Sequence, residues 1–321
     1  MNSFLYLQSF EYQHVEHGIV VPSSRILFTV FIFVSFGLVT ITRSSELTIY
    51  KNMSNEQSVD LRLLSWNILA PCLVIPAWYP TVYEIASQHT DRINKIANKI
   101  DSLKEDVVLI QEAQEDTLPL LRQKLGITYS FYIAWNNPTE VNISHGLLML
   151  IRKDWKYAST VIVTHGILDL EKGEAIQIMS IPSENVHVVN LHLNYVEPLA
   201  QAKMVLDKSQ QLLGETYDVT ILAGDMNAEK EVNIEFESSG FENAFNESND
   251  DIKIPTYYPD PAHAQSNSAI DHIFYDPRQI QLIEYGKAWN ITHGSLSSAL
   301  TEFGSDHIYV WASFKFHSRR S

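Results

Sequence analysis

Six short runs in this chain end a hydrophobic stretch on a residue able to bind a cation, move a proton or hold an anion. LLSWN ends on Asn67, VVLIQE on Glu112, VVNLH on His192, VTILAGDMN on Asp225 and Asn227, and AID on Asp271, while GSDH sets Asp306 and His307 ahead of a last apolar run. A polar residue directly after a buried run sits at the strand's carboxyl end, where several side chains can converge while the run stays in the core. The residue types suit phosphoester hydrolysis. Hard cations such as Mg²⁺ take oxygen ligands, usually one or two carboxylates with substrate phosphate and water, and Glu112 and Asp306 fit that part. The reaction also needs an oriented water, charge neutralisation on the phosphoryl oxygens and protonation of a poor leaving group. Asp225, two histidines and two asparagines can divide those tasks.

Each residue also has a plainer reading. Glu112 in QEAQED could be a solvated turn residue, and His192 in NLHLNY a core histidine bonded to a carbonyl. GDMN could be a strand-to-turn signal, and SDH a cap before the final strand. Asp271 is different, because an acid inside AIDHIFY carries a desolvation cost unless it is paired, and a histidine would be a suitable partner.

The elements that must position these residues alternate between short aliphatic runs and longer helical periods, which indicates an α/β domain. Strands are expected at 61–67, 106–111, 129–135, 146–152, 159–164, 175–181, 185–192, 218–224, 269–275 and 307–314. One helix is expected to start with Thr90 or Asp91 as N-cap and to repeat Ile93, Ile96, Ala97, Ile100 and Leu103 on one face; a second covers roughly 197–214. Residues 240–268, rich in Pro, Asn and acids, read as a long surface excursion.

Composition sets further bounds. The chain has 321 residues, 45% hydrophobic, enough for one large core. Its net charge is -15, and since residues 1–52 balance Glu11, Glu16 and Glu46 against Arg25, Arg43 and Lys51, all of that charge lies in 53–321. An acidic surface without a basic run disfavours binding to long duplex DNA. Cys72 is the only cysteine, so no intrachain disulfide forms, which leans towards a reducing compartment. From Ile26 to Thr42 run seventeen uncharged residues between Arg25 and Arg43, the lower limit for a membrane-spanning helix. Two organisations follow. Either 1–52 carries a signal anchor at 26–42 and the protein is membrane-associated, or Met53 is the true start and 53–321 is a cytoplasmic catalytic domain. Sequons begin at Asn52, Asn142, Asn246 and Asn290.

LLSWNILA, VVLIQE, VVNLHL, ILAGDMNA, SAIDHIFY and GSDHIYV, in this order across residues 61–314, resemble the signature blocks of the endonuclease/exonuclease/phosphatase superfamily. The resemblance implies a four-layered α/β sandwich, two mixed sheets face to face with helices outside. It implies Mg²⁺ or Mn²⁺ held by Glu112 and Asp306, with Asn67 hydrogen-bonding around the metal. His192 would donate to a phosphoryl oxygen or the leaving group, Asp225 would orient or deprotonate the attacking water, and Asn227 would bond the phosphate. Asp271 would fix the tautomer of His307 and raise its basicity, and His307 would contact the phosphate. His145 and Gly146 in SHGLLML occupy the stretch where many relatives carry a substrate-contacting acidic or aromatic residue, which makes His145 a candidate for binding substrate. The usual Pro after the SDH block is replaced by Ile308 and Tyr309.

In motif style the chain is most similar to the deadenylase, nocturnin and Angel branch, which implies an RNA 3′ end or a nucleotide as phosphoester substrate. Trp78, Tyr79, Tyr83 and Trp135 could stack on bases or fill a core. The neutral sphingomyelinase-like branch is the second resemblance, through Asn267 and Ser268 and the stretch 26–42. A membrane-tethered protein that keeps the fold without catalysis is a third reading, opposed by the completeness of the site.

Overall fold

The computed structural model of the protein describes residues 58–137, 145–214, 218–245, 254–288 and 294–317, together with the backbone of 30–34 and 37–41. The sequons at Asn52, Asn142, Asn246 and Asn290, and Met53, lie outside the described residues. Within the stretch expected as a helical anchor, β1 (Val30–Val34) pairs antiparallel with β2 (Gly37–Ile41). The expectation of a helix is therefore corrected for 30–34 and 37–41, the described part of the stretch 26–42. Its Val, Ile, Phe and Thr content favours extended backbone, and among the described residues no helix is long and apolar enough to cross a membrane.

Two mixed sheets of six strands make the body. The first contains β3 (Leu61–Asn67), β4 (Val107–Gln114), β5 (Tyr129–Trp135), β6 (His145–Arg152), β13 (Ile280–Lys287) and β14 (Val310–Phe316), in the order β13-β14-β3-β4-β6-β5. The second contains β7 (Ile162–Ile167), β8 (Ala175–Ile181), β9 (Val186–His192), β10 (Ile221–Asp225), β11 (Glu242–Asn243) and β12 (Asp271–Tyr275), in the order β11-β12-β10-β9-β8-β7. Each sheet has a parallel pair at its centre, β3 with β4 and β9 with β10. The helices are α1 (Tyr83–Ala86), α2 (His89–Leu103), α3 (Leu118–Leu125), α4 (Pro198–Leu213), α5 (Lys230–Ser238) and α6 (Leu296–Glu302).

The four layers follow from strands that bury both faces. In β3, Leu61 and Leu63 point into the core between the sheets, where they meet Met179, Val188 and Ile273. Leu64 and Trp66 point the other way, against Ile93, Ile96 and Ile100 of α2, Leu121 of α3 and Leu300 of α6. In the second sheet Val189, Leu191 and Leu222 pack on Ala202 and Val205 of α4 and on Val232 and Phe236 of α5. Period-2 alternation thus divides one hydrophobic run between two cores, each fully buried side chain contributing about 1.5–3 kcal/mol.

Several boundaries differ from the sequence reading. Helix α2 begins a residue before Thr90 with Gln88 as N-cap, so Asp91 lies in the first turn, where its charge complements the helix dipole. Strand β14 starts at Val310 rather than 307, because Ile308 N–H donates to Thr256 O and His307 bridges to Tyr257. Strand β13 was not anticipated; it is a half-exposed edge with little alternation to read. Nor is 254–268 only a surface excursion: Thr256 and Tyr258 are buried, and Asp260 accepts from both the N–H and the hydroxyl of Thr81.

Candidate active site

Strand register carries three of the expected residues onto one rung. His192 at the end of β9 is aligned with Asp225 at the end of β10, and Asp225 in turn with Asp271 at the start of β12. Aligned residues on neighbouring strands share a face of the sheet, so the three side chains project to the same side. The Gly of the GDMN block belongs to this arrangement. Gly224 has φ +149°, and a Cβ there would stand 1.9 Å from Leu191 O, so only glycine lets β10 lie this close to β9 just before Asp225.

The first sheet supplies the facing residues. Asn67 ends β3, and its Nδ2 donates to Glu112 Oε1 at 2.8 Å and to Asp225 Oδ2 at 2.9 Å, bridging carboxylates from both sheets. Its Oδ1 accepts from Leu69 N–H. Glu112 sits where the β4–β6 pairing slips, and has φ +60°. Such a bulge re-aims a side chain, and positive φ at a non-glycine costs about 1–3 kcal/mol, a strain that clusters at functional sites. Glu112 Oε2 is held by Ala70 N–H at 2.8 Å.

Asp306 and His307 enter from the loop before β14. His307 Nδ1 is 2.8 Å from Asp271 Oδ2, and His307 Nε2 is 3.7 Å from Asp225 Oδ2. Burial opposes a charge on His307, but Asp271, Asp225 and Asp306 outweigh it and hold the ring well above the ordinary histidine range. These carboxylates favour the imidazolium form, which donates to Asp271 through Nδ1. Burial is the main influence on Asp225 and on Asp306 and raises both; Glu112 adds to the rise of Asp306, Asp271 to that of Asp225. Burial pushes Glu112 upward too, but His192, the Asn67 amide and Ala70 N–H outweigh it and bring it below the ordinary carboxylate range. His192 Nε2 lies 3.6 Å from Asp225 Oδ2 and 3.9 Å from Glu112 Oε1, near both without a direct hydrogen bond.

Two expected residues stand further out. Asn227, at φ +49°, donates its N–H to Asp225 Oδ1 and one amide proton to Leu193 O, so most of its bonding shapes the turn that presents Asp225. His145 opens β6, with its ring centroid 6.3 Å from that of His192.

Further residues line the candidate site, and of these Tyr257, Thr256 and Arg92 escaped the sequence reading. Tyr79 is buried, and its hydroxyl donates to Asp306 Oδ2 at 2.8 Å. Burial and the Asp306 charge keep that phenol protonated, so of the two readings of Tyr79, stacking and packing, the structure favours the second. Tyr257 lies over His307 with ring centroids 4.9 Å apart, and Thr256 Oγ1 accepts from the N–H groups of Ile270 and Asp271. Arg92, fully buried in α2, donates to the carbonyls of Ala86, Ile68, Leu69 and Gly304, tying the segment after Asn67 to the segment before Asp306. Tyr257 had a detectable signal, an aromatic pair in an otherwise polar stretch. Arg92 had none, since an arginine on a helix normally reads as solvated.

The donor set fits a divalent cation. Glu112, Asp225 and Asp306 are buried carboxylates, and the charges of Glu112 and Asp306 repel through the cleft, an arrangement that a hard cation relieves. Asp225, Asp271 and His307 also bring one ligand atom each within 4.8 Å of one another. That trio already spends its Asp271–His307 contact on a 2.8 Å bond, so it is better suited to holding a proton than a metal.

The sequence profile of the Endonuclease/Exonuclease/phosphatase family matches residues 64–307, a span that holds every candidate site residue from Asn67 to His307. The chain belongs to this family and is a hydrolase of phosphoester bonds, a metal-dependent chemistry. No curated protein sequence matches it. Solved structures share the fold. ANGEL2, a 2′,3′-cyclic phosphatase in complex with adenosine-2′,3′-vanadate, has a TM-score of 0.63 at 15% identity, covering 83% of this chain and 98% of its own. The human Nocturnin catalytic domain with bound sulfate anion has a TM-score of 0.56 at 18% identity, covering 84% and 97%. D. rerio TDP2 complexed with single strand DNA product has a TM-score of 0.54 at 16% identity, covering 79% and 98%.

Proposed function

We propose that the protein hydrolyses a phosphodiester of nucleotide type, an RNA 3′ end or a nucleotide, by direct attack of water without a covalent intermediate. The observation that carries this is the meeting of the His192–Asp225–Asp271 rung of one sheet with Asn67, Glu112, Asp306 and His307 of the other. Glu112 and Asp306 would hold Mg²⁺ or Mn²⁺, which when bound neutralises phosphoryl charge and polarises the phosphorus centre.

The chain's own residues divide the remaining work. Asp225, raised by burial, is a stronger base than an ordinary carboxylate and takes the proton of the attacking water as its oxygen bonds to phosphorus. Asn67 fixes Asp225 and Glu112 relative to each other. His307, kept cationic by Asp271, donates from Nε2 to a phosphoryl oxygen. His192, on the same rung as Asp225, donates to the oxygen that leaves with the cleaved ester bond.

Support for a nucleotide-type substrate comes from two exposed aromatics on segments following site residues. Tyr195, three positions after His192, is 79% exposed, and Trp78 is 51% exposed; both suit base stacking. ANGEL2 and TDP2 were solved with an adenosine-vanadate and a single-stranded DNA product, and the net charge of -15 disfavours long duplex DNA. The test is metal-dependent product release by the full chain from RNA with 3′-hydroxyl or 2′,3′-cyclic phosphate ends, from single-stranded DNA and from dinucleotides. Activity lost to EDTA, restored by Mg²⁺ or Mn²⁺, and lowered at least about a hundredfold in Glu112→Gln is the expected result. Equal rates in Glu112→Gln and wild type would refute the assignment.

A further inference from the structure

His145 differs from the other site histidines in what its ring nitrogen faces. Its Nδ1 is 3.3 Å from Asn136 Nδ2, and the chemistry of that contact is decided one bond further away. Asn136 Oδ1 accepts from Ala175 N–H at 2.9 Å. A backbone N–H can only donate, so the amide oxygen must point to Ala175 and the amide nitrogen, a pure donor, must point to His145. Nδ1 must then accept. It carries a lone pair, and the single ring proton sits on Nε2.

The surroundings make this orientation hard to reverse. Asn136 is buried, and its own N–H donates to His145 O at 3.0 Å, so backbone and side chain grip the same histidine. The strands below are pressed together: a Cβ on Gly146 would stand 2.3 Å from Ala134 O. Asn137 N–H donates to Gly173 O at 2.7 Å, so the Asn136 segment joins the two sheets at the rim of the site. A second proton on His145 would set two donors against each other at Asn136. Burial, too, acts on His145 in favour of the neutral ring.

We propose that Asn136 is a positioning residue that fixes His145 as its Nε2–H tautomer, giving the site an uncharged donor that recognises an oxygen of the phosphoester. The 6.3 Å between the ring centroids of His145 and His192 is too long for a bond between the rings. It does leave room for one phosphoryl group to be reached from both, since an N–H···O bond spans about 2.7–3.2 Å. An acceptor-only side chain at this position would repel the anion, whereas a neutral donor favours it without adding charge. The inference rests on the phosphoesterase reading for the identity of the ligand but not for the tautomer.

The experiment combines histidine-selective ¹⁵N NMR with steady-state kinetics on the full chain. Long-range ¹H–¹⁵N spectra, with the His145 signals assigned by their loss in His145→Gln, should show Nε2 protonated and Nδ1 bare near pH 7. Inorganic phosphate added with Mg²⁺ should shift the Nε2 signal. Asn136→Asp replaces the donor by an acceptor and should move a proton to Nδ1, a change that a merely structural role for Asn136 would not produce. In kinetics, His145→Gln keeps a donor near Nε2 and His145→Glu replaces it by an acceptor of the same shape. The Glu variant should fall about tenfold to a hundredfold below the Gln variant in kcat/KM. A His145 proton on Nδ1 in the wild type, no response to phosphate, or equal kcat/KM for the Gln and Glu variants would each overturn the proposal. Hydrolysis of no phosphoester by the wild type, with the tautomer as described, would instead refute the proposed function.

Discussion

Asp271→Asn changes one charge at the centre of the site and leaves its shape. Asp271 is fully buried, accepts from His307 Nδ1 at 2.8 Å, and donates its backbone N–H to Thr256 Oγ1, a bond that the carboxylate takes no part in. An amide oxygen can still accept from Nδ1–H, so the ring keeps its place but loses the main reason to stay cationic; Asp225 at 3.7 Å retains a smaller part of that effect. A hydrogen bond to a charged group contributes about 1.5–3 kcal/mol, which predicts a fall in kcat of about 10- to 150-fold with little change in KM.

The pH dependence separates this account from simple damage. In the wild type His307 is held well above its ordinary range by Asp271 and Asp225; in the variant the ring deprotonates at lower pH, so the ratio of wild-type to variant kcat grows as pH rises. Stability moves the opposite way. A histidine raised in the folded state stabilises fully below its unfolded pKa of about 6.5, and that contribution is lost as pH rises through the folded value. The variant's stability deficit, bounded by the about 3–5 kcal/mol of a broken buried pair, is therefore largest in acid and shrinks towards alkaline pH. Initial rates and urea midpoints across pH 5.5–9 read both trends. A kcat ratio constant across that range would refute the charged His307.

Arg92→Met removes the donors to four carbonyls, and with about 1–3 kcal/mol for each buried acceptor left unmade, urea unfolding should show a loss of at least about 4 kcal/mol; a loss under about 1 kcal/mol would show that water or rearrangement replaces the clamp. Glu105 is raised by burial from an ordinary 4.5 to about 7, so the folded state keeps a proton that the unfolded chain releases across that window, and stability falls as pH rises through it. Glu105→Gln should therefore raise the melting temperature at pH 8 and leave it nearly unchanged at pH 5, and an equal shift at both values in thermal melts would contradict the burial argument.

Ten of the twelve strands of the two sheets, helices α2 and α4, the α/β class and the polar strand ends of the candidate site were legible in the chain, whereas the two-sheet sandwich was implied by the family resemblance alone. They were legible because each leaves a local trace: a run of aliphatic residues broken by a carboxylate, histidine or amide marks a strand end. Strand β13 left no such trace, since an edge strand half open to solvent mixes polar and apolar residues on both faces. Residues 30–34 and 37–41 differ for another reason, because the seventeen uncharged residues of 26–42 satisfy the length rule for a membrane helix while their Val, Ile, Phe and Thr content also favours paired strands.

What the sequence by itself determined is which residue types stand at the ends of which buried runs, and hence that acids, imidazoles and amides meet at one end of the sandwich. Only the tertiary structure decided their protonation and aim. The bonds that do so join residues far apart in the chain: Asn67 to Asp225, Tyr79 to Asp306, Asp271 to His307 and Arg92 to Gly304. The charge on an imidazole or the tautomer it adopts depends on distances of a few ångströms and on removal from water, and neither is encoded in spacing along the chain.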